Sequence, residues 1–148
     1  MTKPPRWIAL LGAGSFTVAL ASCSVHASGP TAELKGHRFD IEIAADDATR
    51  TRGLMFRDSM AADHGMLFEF SDMQPRVFWM KNTWIPLDML FFDSDYKLVS
   101  VQQRVPPCRS DPCAQYASEG PAQYVLELNG GTADRLGVKP GDKLSVTR

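Results

Sequence analysis

Residues 78–92 read Phe-Trp-Met-Lys-Asn-Thr-Trp-Ile-Pro-Leu-Asp-Met-Leu-Phe-Phe, a tight polar cluster of Lys81, Asn82 and Thr83 in apolar surroundings, with Asp88 five residues on. Burying an unpaired charge costs several kcal/mol or more, roughly, so such a group persists where it is paired or used. The stretch therefore marks a structural polar knot or the floor of a binding site. Arg57 and Glu127 can join the set. As a site, it gathers two cations, two carboxylates and an orienting amide, suited to a small zwitterion, an anionic group or acid–base work. As a knot, Lys81 or Arg57 pairs with Asp88 or Glu127 to tie strands together, and Asn82 and Thr83 satisfy the turn before Pro86. In an extended run Trp79 and Lys81 share one face and Phe78, Met80 and Asn82 the other, so the Lys81 stem can lie along the indole. Trp84 precedes a proline turn that can present it outward or let it cover the core edge.

Other chemistries find less in the sequence. No Gly-x-Ser-x-Gly is present, and His26, His37 and His64 are scattered. That leaves a serine hydrolase without its nucleophile and base, and zinc without a ligand set. Asp88 and Glu127 alone could cleave a glycosidic bond, although so small a domain rarely holds a deep saccharide cleft. Met55, Met60, Met66, Met73, Met80 and Met89 offer thioethers for Cu(I), with His64 between two of them. Several of them fall in apolar strands, where Met is ordinary filler.

The elements that must position these groups are short. Residues 33–35 and 38–43 about Gly36 predict a hairpin, with Phe39, Ile41 and Ile43 inward. Asp46 or Asp47 caps a short helix to about Arg52, and Gly53 stops it. Strands are predicted at 65–70, 76–81, 87–92, 97–103, 123–128 and 143–146, with a second helix over 131–136 closed by Gly137. This is a compact α+β domain, mainly antiparallel sheet or barrel-like, with two short helices.

The N-terminus predicts export. Lys3 and Arg6 precede an apolar run over 7–21, short for a membrane span and typical of a cleaved signal. Leu20-Ala21-Ser22-Cys23 looks like a bacterial lipobox, with cleavage after residue 22 and lipid on Cys23; an ordinary cut after Ala27 is the alternative. Ser24 supplies no acidic signal for inner-membrane retention. Of the 148 residues, removing the first 22 leaves 126, enough for one domain, with a tether over 23–30 and the domain over 31–148. Losing Lys3 and Arg6 moves the formal charge from −1 to −3. With no basic stripe, nucleic acid is not an expected partner. Cys108 and Cys113, an even pair in an exported chain, read as a disulfide contributing ~2 kcal/mol; free thiols or a redox pair are the alternatives, the latter at unusual spacing.

The blocks Gly53-Leu54-Met55-Phe56-Arg57, Gly65-Met66-Leu67-Phe68-Glu69-Phe70, Trp79-Met80-Lys81-Asn82-Thr83, Ile85-Pro86-Leu87-Asp88 and Val125-Leu126-Glu127-Leu128-Asn129-Gly130-Gly131 come in the order of domain-of-unknown-function family 192. The chain resembles that family over about 32–146, and Cys108, Cys113 and Tyr116 also look like its pattern. The resemblance implies a small, β-rich, often exported domain and no established activity.

The sequence thus predicts a periplasm-facing binding or interaction module, lipid-anchored or otherwise soluble, monomeric and without a cofactor. Its ligand is an unknown small molecule or envelope protein. The candidate site comprises Arg57, Trp79, Lys81, Asn82, Thr83, Asp88 and Glu127, with Lys81 neutralising an anionic ligand group and Asp88 orienting Lys81 or the ligand. A small enzyme using Asp88 or Glu127, and Cu(I) binding through methionine, are the alternatives.

Overall fold

The computed structural model describes residues 29–148. The expected signal, the Cys23 lipidation site and all but the last two residues of the tether lie outside these residues. Strands β1 (Thr31–Leu34), β2 (His37–Ala44), β3 (His64–Trp79), β4 (Leu87–Phe92), β5 (Leu98–Val105), β6 (Gln115–Asn129) and β7 (Leu144–Thr147) join helices α1 (Asp47–Arg52) and α2 (Thr132–Leu136). They form one seven-stranded sheet in the order β5-β4-β6-β3-β2-β1-β7. Only the β2–β3 pair is parallel, and α1 lies in the crossover between them. The two end strands approach each other where they begin. Lys97 bridges Lys143, and the Leu98 amide donates to the Asp142 carbonyl at 2.8 Å. The sheet is therefore a half-barrel drawn together at one end, which protects part of both edges.

Local chemistry explains the turns. Leu34 pairs with His37 across Lys35 and Gly36, both at positive φ, as a tight two-residue hairpin requires. The Asp46 side chain accepts the Thr49 amide while the Thr49 hydroxyl lies 3.3 Å from the Asp46 amide, so α1 starts with a reciprocal cap. Gly53, at φ 45, ends it.

Two apolar clusters sit on opposite faces of the sheet. Phe39, Ile41, Leu67, Leu90, Phe92, Leu126 and Leu128 pack on one face with Ala133 of α2. Leu54, Met66, Phe68, Met80, Ile85, Met89, Phe91 and Val125 pack on the other, beneath the α1 crossover. All six residues of β4 are buried, because both of its faces are covered.

The α+β class, the half-barrel and the two helices agree with expectation; strand lengths do not. Residues 65–70 and 76–81, expected as two strands, are one strand ending at Trp79, with irregularities between Glu69 and Gln74 and between Pro75 and Val77. β6 begins at Gln115 rather than 123, because its exposed first half pairs with the outer part of β3 without an apolar alternation to mark it. Among the described residues, no helix is long and apolar enough to cross a membrane.

Candidate functional site

Alternation along β6 sends Leu126 and Leu128 to the α2 side and Val125 and Glu127 to the α1 side. Glu127 is opposite Met66 of β3 and Met89 of β4, both buried, so it stands in an otherwise apolar row. Its side chain makes no hydrogen bond or ion pair with any described residue, and 4% of its surface is exposed. Burial alone pushes its carboxyl up to about 8, because nothing nearby stabilises the charged form.

The carboxyl faces a cavity of about 290 Å³. This is close to the lower end of small-molecule pockets, ~300 Å³. Gly53, Leu54, Met55 and α1 close one side, and Phe68, Phe70, Phe78 and Trp79 of β3 form the apolar wall. Phe78 is the hub of that wall, meeting Phe68, Phe70 and Phe91 edge-on at 5.1, 6.4 and 5.9 Å. Gly53 packs close to the Phe68 ring, which a Cβ there would approach to 3.2 Å. Val77 and Trp79 at the mouth are 57% and 47% exposed.

The charged groups of the mouth come from α1. Arg50 is committed: its guanidinium donates to the carbonyls of Ala45 and Glu69, meets the Asp47 carboxylate at 2.5 Å and lies over Phe70. It ties α1 to β3. Arg52 lines the mouth with no ion pair among the described residues.

Of the predicted residues, the fold brings Trp79, Thr83 and Glu127 to this cavity. Lys81 and Asn82 adjoin it on the loop after β3. Lys81 lies over the Trp79 ring at 5.4 Å, as side-chain parity predicts, but its ion-pair partner is Asp111, at 2.8 Å. Asn82 is left-handed at φ 55, which ends the expected extended run, and its carbonyl accepts the Phe56 amide. The loop is held by residues 108–113. The Cys108 amide donates to the Thr83 carbonyl, Arg109 lies over Trp84, and Cys108 and Cys113 are disulfide-bonded. Trp84 is half-buried, edge-on to Phe56 at 5.7 Å, and covers the core edge.

Asp88 and Arg57 are elsewhere, and the joint roles expected for them do not hold. Asp88 is on the opposite face of β4, fully buried, where it accepts the amides of Arg104, Gly131 and Ala133 at 2.7, 2.9 and 2.7 Å. It caps α2 and the bulge opposite β5, and touches neither Lys81 nor the cavity. Gly131 is needed at that junction because its backbone is left-handed at φ 89, which strains any residue with a Cβ. Arg57 grips Glu42 with two hydrogen bonds at 2.6 and 2.8 Å, and His64 Nε2 lies 2.9 Å from the same carboxylate. Arg57 foremost, aided by His64, lowers the Glu42 carboxyl to about 2 against the opposing effect of burial.

Sequence reasoning missed Glu42 and His64 because β2 and β3 pair in parallel, and it missed the α1 wall because α1 buries no residue of its own. Met66, Met80 and Met89 are core residues of the α1-side cluster with Met60 packed against it, Met55 lines the cavity, and Met73 is exposed, its sulfur accepting the Ser94 amide.

The sequence model of the DUF192 family, described as uncharacterized ACR, matches residues 30–146. Two crystal structures resemble the fold. A protein from Sinorhizobium meliloti 1021, described provisionally as a transcription regulator, is 44% identical at a TM-score of 0.71, over 79% of this chain and 91% of that one. A protein of unknown function from Novosphingobium aromaticivorans DSM 12444 is 35% identical at a TM-score of 0.71, over 90% of this chain and 99% of that one. No curated protein matches the chain.

Proposed function

The chain belongs to the DUF192 family, and we propose that its domain is a binding module for a small, largely apolar ligand carrying one polar group. The site is the cavity between α1, β3 and β6, with Trp79, Thr83 and Glu127 as its contacts. One observation carries this reading. Glu127 is a buried carboxyl without a hydrogen-bond partner among the described residues, open to a cavity whose β3 wall is apolar and whose α1 side is polar. A carboxyl that meets only the poorly solvated space of a cavity gains most when a ligand supplies its partner. Asp88 and the Arg57–Glu42–His64 cluster hold the scaffold around the site.

Export to the bacterial periplasm, with a lipid on Cys23, belongs to the same proposal, and its support is the N-terminal sequence. The Cys108–Cys113 disulfide suits an oxidising compartment. The transcription-regulator description of the Sinorhizobium protein is not carried over, because among the described residues the helices have six and five residues, too short for a recognition helix.

A second reading rests on the same carboxyl. A buried glutamic acid titrating near neutrality suits general acid–base work, so Glu127 could serve an enzyme. The two readings part on the fate of the ligand. A module returns a bound compound unchanged after long incubation. An enzyme alters its mass, and Glu127→Gln stops the alteration.

The site itself is tested by amide and indole chemical-shift mapping with small aromatic compounds bearing one polar group. Shifts should cluster on Leu54, Phe68, Phe78, Trp79 and Glu127, and Trp79→Ala, at an exposed rim position, should weaken them with the fold intact. Binding that maps to another surface would remove the cavity as the site.

A further inference from the structure

Resting on the cavity as the binding site, we infer that its ligand is an organic cation: an ammonium or amidinium nitrogen on a small apolar or aromatic body, delivered to Glu127. The floor group is a carboxyl, and no described residue gives it a hydrogen bond or a positive charge. An anionic ligand group would meet like charge, or force the acid to stay protonated. A neutral hydroxyl would give one hydrogen bond. A cationic nitrogen gives charge-assisted hydrogen bonds to an ionised carboxylate in a place where water screens little.

The walls favour the same charge. Phe68, Phe70, Phe78 and Trp79 present aromatic rings, whose faces attract cations. These rings do accept cations: Lys81 lies over Trp79 at 5.4 Å, and Arg76 and Arg50 lie over Phe70 at 3.9 and 5.2 Å, which leaves Phe68 and Phe78 as the rings without a described cation over them. Thr83 adds a hydroxyl as a further acceptor.

The other charged groups of the cavity limit the ligand to one cationic end. Asp47, Arg50 and Arg52 stand on α1, the β3 wall contributes no charged side chain, and β6 contributes Glu127. Arg50 is neutralised by Asp47, whereas Arg52 has no described ion-pair partner. A ligand entering nitrogen-first therefore leaves its other end beside a guanidinium. That end is neutral or anionic, and a diamine is disfavoured.

Binding is coupled to a proton. In the empty cavity burial keeps Glu127 protonated at neutral pH. As the cation seats, the Glu127 O–H bond breaks and the proton leaves to solvent, so each ligand bound near pH 6.5 releases about one proton. Near pH 8.5 the carboxyl is already largely ionised, and release falls toward zero.

Titration calorimetry of the full protein with benzylammonium, benzyl alcohol and benzoate tests this, in buffers of differing ionisation enthalpy at pH 6.5 and 8.5. Benzylammonium should bind at least about tenfold more tightly than benzyl alcohol at pH 8.5, with benzoate weakest. Its affinity should fall with pH, with about one proton released at 6.5, and Glu127→Gln should erase both the preference and the release. Proton release in the parent decides the matter should that variant fail to fold. Equal affinity for the amine and the alcohol, or no proton release, overturns the cation and leaves the cavity as a binding site. No binding by any of the three overturns both.

Discussion

Replacing Glu127 with glutamine should stabilise the protein in alkaline solution and leave it unchanged in acid. The Glu127 carboxyl has an ordinary value of 4.5 and a folded value of about 8. The folded state therefore binds more protons than the unfolded chain between these limits, and stability falls as pH rises through that window. Below 4.5 both states carry the proton, and above 8 both have lost it. With 1.36 kcal/mol for each tenfold difference, the whole span is worth about 5 kcal/mol, and the part between pH 5 and 8 roughly 3.5 kcal/mol. Only 4% of Glu127 is exposed, so solvent screens little of this difference. Glutamine keeps the shape and cannot ionise, so the variant lacks this slope. Urea denaturation of parent and variant at pH 5, 6, 7 and 8 measures it, because the midpoint moves with stability while the slope in urea stays constant. The curves should meet near pH 5 and separate by several kcal/mol at pH 8, with the variant the more stable. Parallel curves would refute the reasoning, because Glu127 would then have a partner or be solvated.

The remaining residues should behave as their contacts dictate. Asp88→Asn removes a charged acceptor from three backbone amides and turns an amide nitrogen toward one of them, which should cost roughly 3 kcal/mol or more. Lys81→Met removes an ion pair whose side chains are 36% and 61% exposed and should cost less than ~1 kcal/mol by the same urea titration. Arg57→Ala should reduce the acid loss of stability that arises as pH falls from 4.5 through the Glu42 value of about 2. Because the Glu42 side chain is 40% exposed, that effect is about 1 kcal/mol, and small-molecule binding should not change. Cys108→Ser with Cys113→Ser should lower stability by ~2 kcal/mol. Amide exchange should then accelerate first at 81–84, the loop that residues 108–113 hold.

The hairpin at Lys35-Gly36, the α1 cap at Asp46 and the run over 87–92 were legible because each is written in a few adjacent residues. The early start of β6 was not, since 115–122 is exposed and strand only by pairing with β3. The same limit split the candidate site. Parity within one strand correctly put Lys81 beside Trp79. It could not say that Asp88, in β4, and Glu127, in β6, face opposite sides of the sheet, because that depends on the register between strands. Glu127 was visible as a carboxylate in an apolar strand; its lack of a partner is a tertiary property.

A carbon-13 titration of the Glu127 side-chain carboxyl tests most directly whether it is the unpartnered floor of an open cavity. Its midpoint should lie near 8 in the free protein and drop when benzylammonium is added. A midpoint near the ordinary carboxylate value of ~4.3 would contradict the account, because the group would then be hydrated or already paired.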